Sequence, residues 1–227
     1  MAHFVEELQQ LRAALVAMSS LVEAAIGRGI AAVVQHNASL GREVLKEEAR
    51  INRMEIDIDE IAISLLALRQ PMAADLRFIV ATIKINNNLE RMGDLAVNLA
   101  QRAISLDEPG AAPAPKDIER MAGLVTAMMR KSFESFIEHN ADLARSVLAS
   151  DDAVDELRSF SEYELIRFME NGTHSISECV DWLSVVRNLE RIADHATNIA
   201  EGVIFLVKGI DVRHHAAVAP ALDSTQS

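Results

Sequence analysis

Two stretches of the chain carry oxygen donors at one spacing. NLERMGDLAVNLA spans residues 88–100 and NLERIADHATNIA spans 188–200, with eight of thirteen positions identical. Glu90, Arg91, Asp94 and Asn98 return as Glu190, Arg191, Asp194 and Asn198. On a helix, residues i, i+4 and i+8 form one column. Each copy therefore offers two carboxylates and an amide oxygen in a row, hard donors suited to magnesium, manganese, calcium or oxidised iron. One column cannot complete a coordination shell, so a neighbouring helix must add ligands. Glu55 and Asp59 repeat the ExxxD spacing in the first half, and Asp151, Asp152 and Asp155 form a DDxxD cluster in the second.

Acids on an outward helix face are ordinarily just solvated, and Arg91 and Arg191 could pair with them. Like charges at i, i+4 nevertheless destabilise a helix by about 0.2–0.5 kcal/mol. Packing alone explains a repeat of apolar residues; a repeat of acids and amide in register asks for a further reason.

The elements that must carry these rows are helices. Half the residues are hydrophobic, Gly and Pro are scarce, and Ala, Leu, Ile, Glu and Arg dominate. Leu8, Leu11, Leu15, Met18, Val22 and Ala25 mark the apolar stripe of a first helix. Asn37 reads as the cap of a second, running to about Gln70, and Pro71 as the first turn of a third, running to about Leu106. DEPGAAPAPK, residues 107–116, reads as a linker. The pattern then restarts. Leu15, Met18, Leu21 and Val22 match Ile118, Met121, Leu124 and Val125 at an offset of 103, as His36-Asn37-Ala38 matches His139-Asn140-Ala141. At that offset Glu48 and Asn52 are the partners of Asp151 and Asp155. Asn171-Gly172 ends the fifth helix, and Ser175 with Glu178 gives a capping box for the sixth.

The expected fold is all-α: two three-helix units in tandem, with six long helices. The first repeat spans 1–106 and the second 117–208, followed by a tail over 209–227. The stripe of the last helix is Leu189, Ile192, Ala196, Ile199, Val203 and Leu206. The acid column falls on the opposite side, and so is expected to face outward.

A net charge of −12 argues against nucleic acid as a partner, since phosphate neutralisation needs clustered Lys and Arg. A cation or a basic protein surface fits better. The single cysteine, Cys179, leaves no internal disulfide and no thiolate cage. No apolar run reaching about 18 residues and no signal peptide are evident, which points to a soluble protein of the cytoplasm. There is no GxxxxGK or GxGxxG to cradle a nucleotide, and no Glu stands three residues before His36, His139, His174 or His195, as a di-iron oxidase would need. His36 and His139 read as structural residues at helix ends, Cys179 and Trp182 as packed residues, and His195 as an auxiliary ligand at best.

The tandem LERxxDxxxN motif resembles the PhoU proteins, accessory regulators of bacterial phosphate uptake. Arg69-Gln70-Pro71-Met72 with Asp75-Leu76-Arg77 is similar to that family's RQPxxxDLR turn, and Val207-Lys208-Gly209 with Asp211, Arg213 and His214 to its closing segment. The likeness covers nearly the whole chain to His214. It implies two three-helix bundles related by a pseudo-twofold, in a cytoplasmic, often dimeric, non-catalytic protein. That protein links the phosphate ABC transporter, through its ATPase, to a sensor histidine kinase, and meets the membrane only through such partners. Such a protein restrains uptake and the starvation response. It also implies surface clusters of iron, zinc or another divalent or trivalent ion on Glu90, Asp94, Glu190 and Asp194, with Glu55, Asp59, Asp151 and Asp155 as partners. Arg91 and Arg191 are candidate partner contacts. Two other classes compete on the residues alone: a metal-dependent hydrolase using carboxylate-bound water, and a metal-independent helical scaffold.

Overall fold

Apolar register and asparagine caps set the helices. The computed structural model describes residues 2–107, 114–172 and 174–212. Helix α1 is Ala2–Val34, α2 Ala38–Arg69, α3 Ala73–Ser105, α4 Ile118–Glu138, α5 Ala141–Leu148, α6 Asp151–Glu170 and α7 Ile176–Lys208. No strand occurs among the described residues. Asn37 and Asn140 each accept two backbone N–H bonds at the first turn that follows, from Ser39 and Leu40 and from Asp142 and Leu143. The residue before each, His36 and His139, takes the left-handed conformation (φ 47° and 52°) that turns the chain. His36 is further held by Leu106 O at 3.3 Å and by the edge of buried Trp182.

The fold is the expected pair of three-helix units, with three local differences. The long fifth helix is interrupted at Ala149-Ser150, between α5 and α6. Ser150 Oγ bonds back to Ser146 O at 2.9 Å and Ser150 N to Val147 O, and such back-bonding tightens and bends a helix. The break gives α6 its own N-terminus, with Asp151 and Asp152 in its first turn where the dipole favours acids. Pro71 lies outside the third helix, in the turn before it; Gln70 is left-handed and Met72 is extended. Ser175 stands at the N-cap of α7 but makes no side-chain cap bond. Residues 108–113 of the linker and 213–227 of the tail, with Arg213 and His214, lie outside the described residues.

α1, α2 and α3 form the first unit; α4, α5, α6 and α7 form the second. The two share one continuous core, from Leu11 to Leu206, because α3 packs on α7. That packing is antiparallel. His195 meets Asn88, a Cβ on Gly202 would meet Ile85, and Asp181 meets Arg102 and Ser105. Both Asp181 oxygens are used, at 2.7 Å each, which pins one end of the crossing. All six stripe residues of α7 are buried, as are Cys179 and Trp182. His3–Val34 is long and apolar enough to cross a membrane by length and composition, against the expectation that no segment would be. Leu11, Leu15, Met18, Val22, Ala25 and Ile26 of that segment are buried in the bundle.

Close approach of α2 to α3 depends on Gly41, where an added Cβ would stand 2.9 Å from Ala100 O. Gly123, exposed in α4, has open space at that position. Gly41→Ala should therefore destabilise by about 1–3 kcal/mol, as overpacking does, and Gly123→Ala should stabilise by about 0.5–1 kcal/mol through helix propensity. Urea unfolding midpoints of the two variants should move in opposite directions.

Candidate functional site

Packing leaves the motif helices little free surface. Ile85, Leu89, Met92, Leu95, Ala96 and Leu99 are buried on α3, and Val185, Leu189, Ile192, Ala196 and Ile199 on α7. The remaining strip of each lies along a seam, α3 against α2 and α7 against α6. The acid rows run in these seams. They are therefore not freely outward, as the helical wheel implied. Glu90 is 18% exposed and Glu190 21%. Asp94 and Asn98 are half-buried, and only Asp194 and Asn198 reach the exposed rim.

In the first seam Glu55, Glu90 and Asp94 come together. Burial pushes the Glu90 carboxyl above its ordinary value, and the charges of Asp94 and Glu55 push the same way, against the pull of Arg91. Arg91 Nε stands 3.6 Å from Glu90 Oε2, a neighbour-in-sequence ion pair. Asp59 is held differently. Asn86, fully buried on α3, donates from Nδ2 both to Asp59 Oδ1 and to Glu55 O, each at 2.9 Å. Asn86 thus orients an acid and its helix at once, and the Asn86-Asn87-Asn88 run was the available signal for it.

In the second seam Asp151, Asp155, Glu190 and Asp194 come together. Burial leads the upward shift at Glu190, Asp194 and Asp151 alike, and mutual repulsion adds to it. Arg158 enters between the helices, with Nε 3.8 Å from both Asp155 Oδ1 and Glu190 Oε1. At the offset of 103 Arg158 stands where the first repeat has Glu55, so one seam carries a built-in cation where the other carries an acid.

The remaining candidates are placed elsewhere. His195 is turned across the crossing, with Nδ1 2.9 Å from Asn88 Oδ1, and is not joined to either acid row. Burial lowers its affinity for a proton, as do the charges of Arg191 and Arg91. Arg91 and Arg191 are both exposed. Asn198 lines a groove of about 480 Å³ with Asp59, Lys84, Asn87 and Asn88, away from the Asp151–Asp155 pair. Among the described residues, no three acids, histidines or cysteines converge into a ready-made metal cage. The seams are rows of crowded carboxylates, without a closed shell.

An acid whose folded value is raised holds its proton better folded than unfolded. It favours the folded state below the unfolded value, and loses that advantage as pH rises through the folded value. In metal-free protein Glu90 should therefore lower stability as pH climbs from its ordinary 4.5 through its raised value. Glu90→Gln should melt higher than the unsubstituted protein at pH 7, and the gap should close near pH 4. Thermal melts across that range check the sign.

The family model described as "PhoU domain" matches twice, over residues 15–103 and 118–203. A Pseudomonas putida protein named "Phosphate-specific transport system accessory protein PhoU homolog" is 39% identical over 93% of this chain and 83% of its own length. An Aquifex aeolicus protein of the same name is 39% identical over 92% of this chain and 95% of its own. The crystal structure of PhoU from Pseudomonas aeruginosa superposes with a TM-score of 0.88 at 38% identity, covering 91% of this chain and all of that one. The phosphate transport system regulatory protein PhoU from Streptococcus pneumoniae gives 0.85 at 26% identity, over 92% of this chain and 99% of that one.

Proposed function

The chain belongs to the PhoU family, whose named relatives are accessory and regulatory proteins of phosphate transport rather than enzymes, and we propose that it is a non-catalytic negative regulator of phosphate uptake. In this reading it sits in the cytoplasm, as a homodimer. It links the ATPase of a phosphate ABC transporter to a sensor histidine kinase by docking its rigid helical faces. The observation that carries the reading is the twin seam of crowded carboxylates on long helices fixed by one core. Such a face steers a basic partner surface toward it and rejects acidic ones.

The same rows suit a hard cation. Glu55, Glu90 and Asp94 would hold one, and Asp151, Asp155, Glu190 and Asp194 another. What supports this is the chemistry of the rows: desolvated carboxylates that repel one another are stabilised by positive charge. An ion that keeps part of its water shell, as magnesium does, needs only one or two carboxylates and no closed cage. In the second seam Arg158 must give way to it. The cation would neutralise a row and so change which surface can dock there.

Co-purification of the transporter ATPase and the kinase with untagged protein tests the adaptor role; recovery of neither would overturn it. Chelator-stripped protein should gain melting temperature when manganese, magnesium, calcium, iron or zinc is restored. Stabilisation should be about 2.7 kcal/mol at a hundredfold excess over Kd. Glu90→Gln with Asp94→Asn should remove part of that gain, and Glu190→Gln with Asp194→Asn the rest. An equal gain in all variants would dismiss the seams as ion sites.

A further inference from the structure

The two middle helices share a core pattern and differ on their outer faces. At the offset of 103, buried Ile51, Ile58, Ala62 and Leu65 of α2 correspond to Val154, Ser161, Leu165 and Phe168 of α6. On the outside, Asp57 and Glu60 correspond to Phe160 and Tyr163, while Ile63 corresponds to Ile166. The second repeat thus exposes two aromatic rings where the first exposes two acids; the first repeat's own exposed apolar residues, Ile56, Ile63 and Leu68, are aliphatic and scattered along α2. Phe160 is 55% exposed, Tyr163 60% and Ile166 46%, at i, i+3 and i+6 on one side of α6. Tyr163 is the only tyrosine of the chain.

Acids rim the stripe. Glu156 stands four residues before Phe160, and Glu162 and Glu170 flank Ile166 at the same spacing. Asp152, Asp155, Glu156 and Glu170 are exposed. The cations nearby are few. Arg158 is drawn toward Asp155 and Glu190, and Arg187 toward Glu162, which leaves exposed Arg167, and Lys116, whose backbone N–H donates to Glu164 Oε2 at 3.0 Å. This acidic rim repels the same rim of a second copy, so the homodimer proposed above would form through another face. The rim attracts a segment whose apolar residues are bordered by Lys or Arg.

We propose that the Phe160–Tyr163–Ile166 stripe of α6 is a docking face for a basic amphipathic helix of a protein partner, so that the second repeat alone carries this contact. Apolar anchors at i, i+3 and i+4 of the incoming helix would lie along the stripe, with its Lys or Arg over the acid rim. Aromatic anchors at the centre of such a face carry a large share of binding energy. The proposal rests on the adaptor reading above and assigns the face used. The probe below is a synthetic peptide, so its result is independent of whether the transporter ATPase or the kinase is recovered.

The test labels the full chain with 3-fluorotyrosine, which gives one ¹⁹F resonance, at Tyr163. A helical peptide of leucines and lysines in amphipathic order is titrated in, beside its glutamate-for-lysine counterpart and oligolysine. The Tyr163 resonance should move with the Leu/Lys peptide alone. By calorimetry, Phe160→Ala with Ile166→Ala should weaken that peptide at least tenfold, while Ile63→Ala on α2 leaves it unchanged. All these positions are exposed, and an unchanged melting temperature confirms folding. Equal binding by all variants, or equal response to oligolysine, would overturn the proposal. So would a ¹⁹F shift that follows protein concentration without peptide, which would assign the stripe to self-association.

Discussion

The antiparallel packing of α3 on α7 is the constraint from which the rest of the molecule follows. Each of these helices belongs to its own three-helix unit and also to the joint between the units. Apolar residues must therefore surround most of each helix, and the buried sets on both are accordingly wide. Asp181 with Arg102 and Ser105 fixes one end of the joint by charge-assisted bonds, which breaking one partner would leave buried and unpaired. Polar side chains of the repeated motif have only the seam beside α2 or α6 left to occupy.

That placement sets the electrostatics. A carboxylate on an open helix face is solvated and screened. In a seam it loses part of its water while its neighbours keep their charge, and both effects favour the protonated form. Burial ranks first among the causes at Glu90, Glu190 and Asp194. The crowding is held by apolar packing that cannot relax it, because the helices cannot separate without opening the core. Positive charge from outside would relieve it, as an ion or as a partner's Lys and Arg in the proposed role.

Much of this was legible in the sequence. The asparagine caps, the 103 and 100 offsets and the stripes of α1 and α7 gave the helices and their duplication, because caps and apolar period are local signals. The break at Ser150 was not legible, since a serine's choice to bond back to its own helix depends on surrounding packing. Pro71 fell just outside its helix because Gln70 and Met72 complete the turn first. The acid rows were found by their spacing, but their depth was misjudged. A helical wheel sees one helix, whereas the burial of Glu90 comes from α2 lying beside it. Arg158 and Asn86 were missed for the same reason. Each acts across a helix pair, and neither belongs to the repeated motif.

The duplication explains why both seams exist and why they need not do the same work. A repeat fixes the core positions of both copies, since each change there must be accommodated by close packing. Outer positions carry no such restraint. Asp57 and Glu60 against Phe160 and Tyr163 lie on that free side, and Glu55 against Arg158 and Asn52 against Asp155 line the seams outside the close-packed core. The first seam crowds Glu55, Glu90 and Asp94 together, and buried Asn86 holds Asp59 apart from them. The second partly neutralises its acids with a guanidinium and turns aromatic rings outward. A symmetric pair of faces would bind two copies of one partner. A pair so divided presents acids on one outer face and aromatic rings on the other, an asymmetry that suits the two-partner role proposed above.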